Sequence, residues 1–372
     1  VTEQNKTVKT DTSEIPILNN ERKDVKESLN SSIDSILYNF GIKKEWITTE
    51  KKSQKAEWFS KSVLIPKDVT SVEINLDISS YLSEAGLSLR VLEDILSKDI
   101  TIYVNNPDST KKLPAAIVQV THSDKVIRET GVIAIILDKI NEFTSEEIDK
   151  LVISKNEFSY VFPRNLDDID IQHKLMQHKK DIIINLTLGD NDNYEADFNA
   201  AMDDKTIHEK VRSFNADFAS VNKVLLTKTQ QDVSLNQLQN KIIAELSKSN
   251  IRVITDTLLT YSHNEKGNIS SFFATVIQKA YLNKKVIVVY PVNKSEFQNF
   301  YNTVLTYKKL GYKFLNLSEY FSYIEEEKKK TDEVKKKPVD KKDMPKKTDK
   351  DKKPVDKKDI SKNKKDLEKK KK

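Results

Sequence analysis

Residues Val132 to Leu137 read Val-Ile-Ala-Ile-Ile-Leu, an unbroken apolar run that ends in Asp138. A half-buried antiparallel strand alternates apolar and polar residues. A run apolar on both faces predicts a parallel strand covered on both sides. An acid just past the C-terminal end of such a strand stands where α/β folds carry their chemistry. Asp138 is therefore the first candidate for function. Seven stretches read as strands in this part of the chain: 131–137, 158–162, 181–188, 218–226, 251–255, 285–290 and 313–317. Helical patterns lie between them. Thr144-Ser-Glu-Glu147 is a capping box. Leu235, Leu238, Ile242, Ile243 and Leu246 share one face of a helix, and Phe297 to Leu310 predicts another. Strand and helix in turn over residues 125–324 predict an α/β domain, either a parallel sheet or an incomplete (β/α) barrel.

Residues 21–124 have a different rhythm, that of a small α+β domain. Val25, Leu29, Ile33, Ile36, Leu37 and Phe40 recur at helical spacing, and Gly41 can close that helix. Trp58 to Pro66 alternates like a strand. Val69 to Leu89 carries mixed helical signals with a stop near Gly86. Ile100–Asn105 and Ala115–Thr121 predict two strands joined by a turn at Asn106 to Asp108. Trp46 and Trp58 offer faces for stacking on a sugar, but a tryptophan in a small domain is ordinarily core. Residues 1–20 are polar and aperiodic, a flexible leader.

Charge changes the picture at the C-terminus. Lys328 to Lys372 holds 22 Lys against 10 acidic residues, a net of +12, whereas the whole 372-residue chain is only +6. The body is thus mildly acidic, and the basic balance belongs to the tail. Lys336-Lys-Pro-Val-Asp-Lys-Lys-Asp343 recurs as Lys352-Lys-Pro-Val-Asp-Lys-Lys-Asp359. Residues 325–372 therefore read as a disordered or fleetingly helical, lysine-rich tail. Such a tail is either a solvated spacer or a contact for an anionic surface. No specific nucleic-acid partner is expected of the body.

Cysteine is absent, which excludes disulfides and thiolate metal sites. Six glycines leave little room for phosphate-cradling loops, and no nucleophile elbow, Walker loop or dinucleotide fingerprint occurs. The chain begins at Val1, with Met only at 176, 202 and 344, which leads us to expect a missing upstream signal peptide or membrane anchor.

The motif frame over Gly131 to about Tyr323 resembles the divergent polysaccharide deacetylase family. Asp138-Lys139-Ile140-Asn141 stands where that family has Asp-Asp-x-Gly after its first strand. Tyr160-Val-Phe-Pro163 matches a strand ending in proline. Asn185-Leu186-Thr187 takes the place of His-x-Pro, and Ser220 to Thr227 that of the motif Asn-Asn-His-Met-Gly-Ser. There Asn222 matches the first asparagine, and Val224 replaces a histidine that binds metal by analogy. Asp256-Thr257 matches an Asp-Ser strand end, and Val289-Tyr290-Pro291 keeps the proline of Gly-His-Pro. His122, His173, His178, His208 and His263 all miss the family's histidine positions. Lys139, in a ligand position, would repel a divalent cation.

The resemblance implies a (β/α) barrel-like deacetylase domain behind the small α+β domain. It also implies an exported, periplasmic or cell-envelope protein linked to carbohydrate. With its ligands lost, the expectation is a pseudoenzyme without metal or other cofactor. Asn185, Asn222 and Tyr290, beside Asp138 and Asp256, would line a cleft for glycan or peptidoglycan, or for an envelope protein partner. The alternatives are a rebuilt hydrolase using Asp138 and Asp256 as a carboxylate pair, and an adaptor held by its tail.

Overall fold

The computed structural model describes residues 29–51, 59–105, 114–153, 157–193, 195–229, 233–255, 259–260 and 269–336. Residues 1–323 form one unit and residues 324–372 a second. The first unit holds two sheets, each with its own core.

The first sheet is built from α1 (Leu29–Asn39), β1 (Ile47–Lys51), β2 (Phe59–Ile65), α2 (Ser71–Glu84), β3 (Leu89–Glu93), β4 (Ile100–Val104) and β5 (Ala116–His122). Its strand order is β1-β2-β5-β4-β3. Gly41, at φ +69°, follows α1 in the left-handed conformation that glycine adopts without steric cost. Period-2 alternation puts Phe59, Val63 and Ile65 into the core with Ile33, Leu37, Ile74 and Ile78 of the helices. Lys61 shares that inward face and is fully buried. Its ammonium is matched by Asp34 Oδ1 at 2.6 Å and the Thr49 hydroxyl at 3.1 Å, as a buried charge requires. Trp46 packs against this core. Trp58 and the turn at 106–108 lie outside the described residues.

The second sheet follows from alternating strands and helices. In order they are β6 (Val132–Asp138), α3 (Ser145–Ile153), β7 (Ser159–Val161), α4 (Ile169–Gln177), β8 (Asp181–Gly189), β9 (Phe198–Asn199), α5 (Asp204–Asp217), β10 (Lys223–Lys228), α6 (Val233–Lys248), β11 (Arg252–Ile254), β12 (Leu259–Thr260), α7 (Ile269–Asn283), β13 (Lys285–Pro291), α8 (Lys294–Lys309), β14 (Lys313–Leu315) and α9 (Leu317–Lys336). Each expected strand is present, several of them shorter. The short strands β9 and β12 carried no periodic signal. Every pairing in this sheet is parallel.

The strand order is β11-β10-β8-β7-β6-β13-β12, with β14 also on β6 and β9 on β8. This order forces curvature. Ile254 ends β11 on one edge and Leu259 opens β12 on the other edge. Five residues reach at most about 18 Å. Seven strands laid flat would hold their outer members about 29 Å apart. The sheet therefore curls into a half-barrel.

Register divides the strand residues between two faces. Ile133, Ile135, Leu137, Tyr160, Ile184, Leu186, Leu188, Val224, Leu226, Val288 and Tyr290 pack outward among the helices. The opposite parity faces the hollow of the sheet. Gly131 precedes β6 where α7 passes so closely that a Cβ would stand 2.3 Å from the Ala280 carbonyl oxygen. At the far end, α9 runs to Lys336, beyond the expected start of the disordered tail at residue 325. Glu325 to Glu327 precede Lys328 to Lys330 at the i,i+3 and i,i+4 spacings that favour helix. Among the described residues no helix is long and apolar enough to cross a membrane.

Candidate binding site at the mouth of the half-barrel

The inward face is layered. At the N-terminal ends of the strands, Ser159, Asp181 and Lys223 form a polar floor. Lys223 Nζ lies 2.8 Å from Asp181 Oδ1, with both side chains under a tenth exposed. Ser159 and Ser318 donate to the two Asp181 oxygens at 2.5 and 2.6 Å. Ser318 Oγ also accepts from Lys223 Nζ, and Ser159 Oγ from the Leu317 N–H, each at 2.8 Å. The first turn of α9 thus closes the floor. Above it, Ala134, Ile136, Ile183, Leu225 and Val289 make a buried apolar waist. The C-terminal ends of the strands are polar again, and this is the mouth.

Asp138 ends β6 half-buried, one register row with Pro291 of β13. Its Oδ1 accepts the Lys139 N–H at 2.8 Å, and Lys139 turns the chain at φ +56°. Asn185 faces inward from the middle of β8, where its Oδ1 accepts the Thr227 hydroxyl of β10 at 3.0 Å. Thr187 and Thr227 are register partners one step nearer the rim.

Two expectations differ from the structure. Asn222 does not reach the mouth. It precedes β10 at the floor end, where its Oδ1 accepts from Lys223 Nζ at 3.0 Å. The sequence frame could not show how far β10 extends beyond it. Tyr290 is fully buried on the outward face, stacked on Phe300 at 4.2 Å, so it lines no cleft. Val224 also faces outward, so no side chain at that position looks into the hollow. Asp256 and His263 lie outside the described residues.

The mouth holds one pair that the motifs did not flag. Arg164, just after β7, meets Asp197 through a two-pronged contact, Nη1 to Oδ1 at 2.6 Å and Nη2 to Oδ2 at 3.0 Å. Asp197 Oδ2 also accepts the Thr187 N–H at 2.8 Å and its hydroxyl at 3.0 Å. Burial pushes the Asp197 carboxyl up, but the Arg164 guanidinium and the Thr187 donors outweigh it and hold the carboxyl below its ordinary range. Lys210 Nζ donates to the Asp197 carbonyl at 2.8 Å. The two residues are 33 apart in sequence, and only the β7–β8 adjacency brings them together.

The described residues offer no donor set for a catalytic metal. Among the described residues no three His, Asp or Glu side chains converge. His122 belongs to the first sheet, with its ring nitrogens near Asp99 at 3.3 Å and the Val69 carbonyl at 3.2 Å. His208 lies beside Glu245 at 3.1 Å, and His173 and His178 are exposed at α4. What the mouth offers is hydrogen bonding from carboxylate, amide, hydroxyl and guanidinium groups.

No family model and no curated protein matches the chain. Among solved structures, an uncharacterized protein from Agrobacterium tumefaciens C58 is 10% identical, with a TM-score of 0.38 over 51% of this chain and 89% of that one. A CE4 family pseudoenzyme from Bacillus anthracis is 10% identical, with a TM-score of 0.38 over 65% of this chain and 93% of that one. A mutant CE4 family pseudoenzyme with restored enzymatic activity is 9% identical, with a TM-score of 0.37 over 65% and 96%. With TM-scores this low, the fold stands on its own strand order and register.

Proposed function

We propose that this chain is a carbohydrate-deacetylase-like protein of the cell envelope that binds glycan, peptidoglycan included, without metal-dependent catalysis. One observation carries the reading. Among the described residues, the polar side chains that face inward at the mouth are Asp138, Asn185, Thr187 and Thr227, with Arg164 and Asp197 at the rim, and none of these is a histidine. Sugar hydroxyls need paired donors and acceptors around a recess, and this set supplies them. The motif frame around Asp138, Pro163 and Pro291 supports a carbohydrate ligand over other polar ligands. The lysine-rich segment would hold the protein at an anionic surface, through a net charge of +12 over Lys328 to Lys372.

The test is calorimetric titration of the full chain with chitotetraose and with soluble peptidoglycan fragments. Saturable one-to-one binding, weakened about ten-fold or more by Asp138→Ala combined with Asn185→Ala, is expected. Zinc-dependent release of acetate from chitotetraose would overturn the non-catalytic reading.

A further inference from the structure

Arg164 has donors left over. A guanidinium has five N–H groups in a plane, arranged as an end-on edge of two Nη–H groups, a side-on edge of Nε–H with Nη–H, and one further Nη–H. Asp197 occupies the end-on edge through Nη1 and Nη2. That carboxylate is itself fixed by the Thr187 N–H and hydroxyl, and its backbone by Lys210. Arg164 is thus held at a set angle while 38% of its side chain stays exposed. Among the described residues, both of its hydrogen bonds go to Asp197, and the side-on edge makes none.

A side-on guanidinium edge matches the spacing of two carboxylate oxygens. Neutral sugar hydroxyls have no need of it. Asp197 already balances one positive charge, and Lys210 adds a second cation beside the pair. Locally, the Arg164 edge with Lys210 beside it presents donors to a ligand group that brings a negative charge of its own. Asp138 lies deeper, at the end of β6, where it suits hydroxyls rather than an anion.

We propose that Arg164 selects glycans that carry a carboxylate, binding it side-on while Asp197 acts as a positioning residue for the guanidinium. This rests on the glycan reading above and names the class of glycan. A carboxylate-bearing sugar gains a two-pronged, charge-assisted contact that a neutral sugar of the same length cannot make. Asp197→Asn would keep the fold of the rim while loosening the angle of Arg164.

The experiment compares hyaluronan tetrasaccharide with chitotetraose on the full chain by calorimetry, at low and at moderate salt. The expected result is about ten-fold or more tighter binding of hyaluronan tetrasaccharide. That preference should vanish in Arg164→Gln and shrink in Arg164→Lys, which keeps charge and loses the fork. Far-ultraviolet circular dichroism of each variant reports folding. Equal affinity for the two sugars in the wild type, or a preference that survives Arg164→Gln, overturns the assignment and leaves the glycan reading standing. Failure of both sugars to bind overturns both. A chitotetrasaccharide bearing sulfate distinguishes a general anion site, which would bind it as tightly as hyaluronan, from the carboxylate site proposed.

Discussion

Arg128 and Asp68 are joined by three hydrogen bonds, Nε and Nη2 to Asp68 Oδ2 at 3.1 and 2.6 Å and Nη2 to the Asp68 carbonyl at 3.3 Å. The remaining guanidinium protons reach the carbonyls of Phe40 at 3.0 Å, after α1, and Lys309 at 2.9 Å, at the end of α8. The side chain is 7% exposed. One residue thus satisfies polar groups from both sheets at their junction, supported by the Lys309–Asp77 ion pair. Arg128→Ala leaves those carbonyls without their donor. It should cost about 3 kcal/mol in urea unfolding, with Arg128→Lys recovering only part of it.

The floor pair predicts an asymmetry. Asp181→Ala strands a buried Lys223 ammonium and should cost about 3–5 kcal/mol. Replacing both partners, as Asp181→Leu with Lys223→Met, should cost much less, because no charge is left uncompensated. Thermal melts of the single and double variants measure the difference. Equal losses would mean that the pair contributes only through packing.

Asp197 predicts a pH dependence. Its folded carboxyl is held below the unfolded value, so the folded state binds the proton more weakly. Its stabilising contribution is present above the unfolded carboxylate value of about 3.9 and is lost as pH falls through the folded value. Wild type and Asp197→Asn should therefore differ most in stability near pH 6 and converge in acid. Urea midpoints between about pH 2 and pH 6 test this. A difference that is constant with pH would remove the ionised carboxylate as its cause.

Gly131 should not tolerate a side chain. Its ideal Cβ meets the Ala280 carbonyl oxygen at 2.3 Å and carbon at 2.8 Å, both backbone atoms of α7, which is held in place by the buried Phe273, Val276, Ile277 and Ala280. Gly131→Ala should cost about 1–3 kcal/mol by forcing α7 from β6. An unchanged melting temperature would show that the close approach relaxes freely.

The sequence by itself determined the parts of this protein that depend on local pattern. The run Val132 to Leu137 is apolar on both parities because helices cover one face and the hollow of the sheet buries the other. That demand appears in every residue, so β6 and its parallel neighbours could be read directly. The exit of Asp138 at the strand's end was legible for the same reason. Side-chain direction was not. Val224 and Lys223 are adjacent letters, yet one joins the helix core and the other the polar floor, because pairing with Ile184 fixes the parity of β10. Tyr290 reads as a polar ring at a strand end, but register with Leu137 turns it outward against Phe300. Asn222 matches a motif position and still lies at the wrong end, because strand length above it decides where the mouth falls. Tertiary structure alone decided the partnerships between distant residues. Arg164 with Asp197, Arg128 with Asp68 and Lys223 with Asp181 carry no common spacing, and each arises from strands and helices that become neighbours only when the sheet curls and the two cores meet.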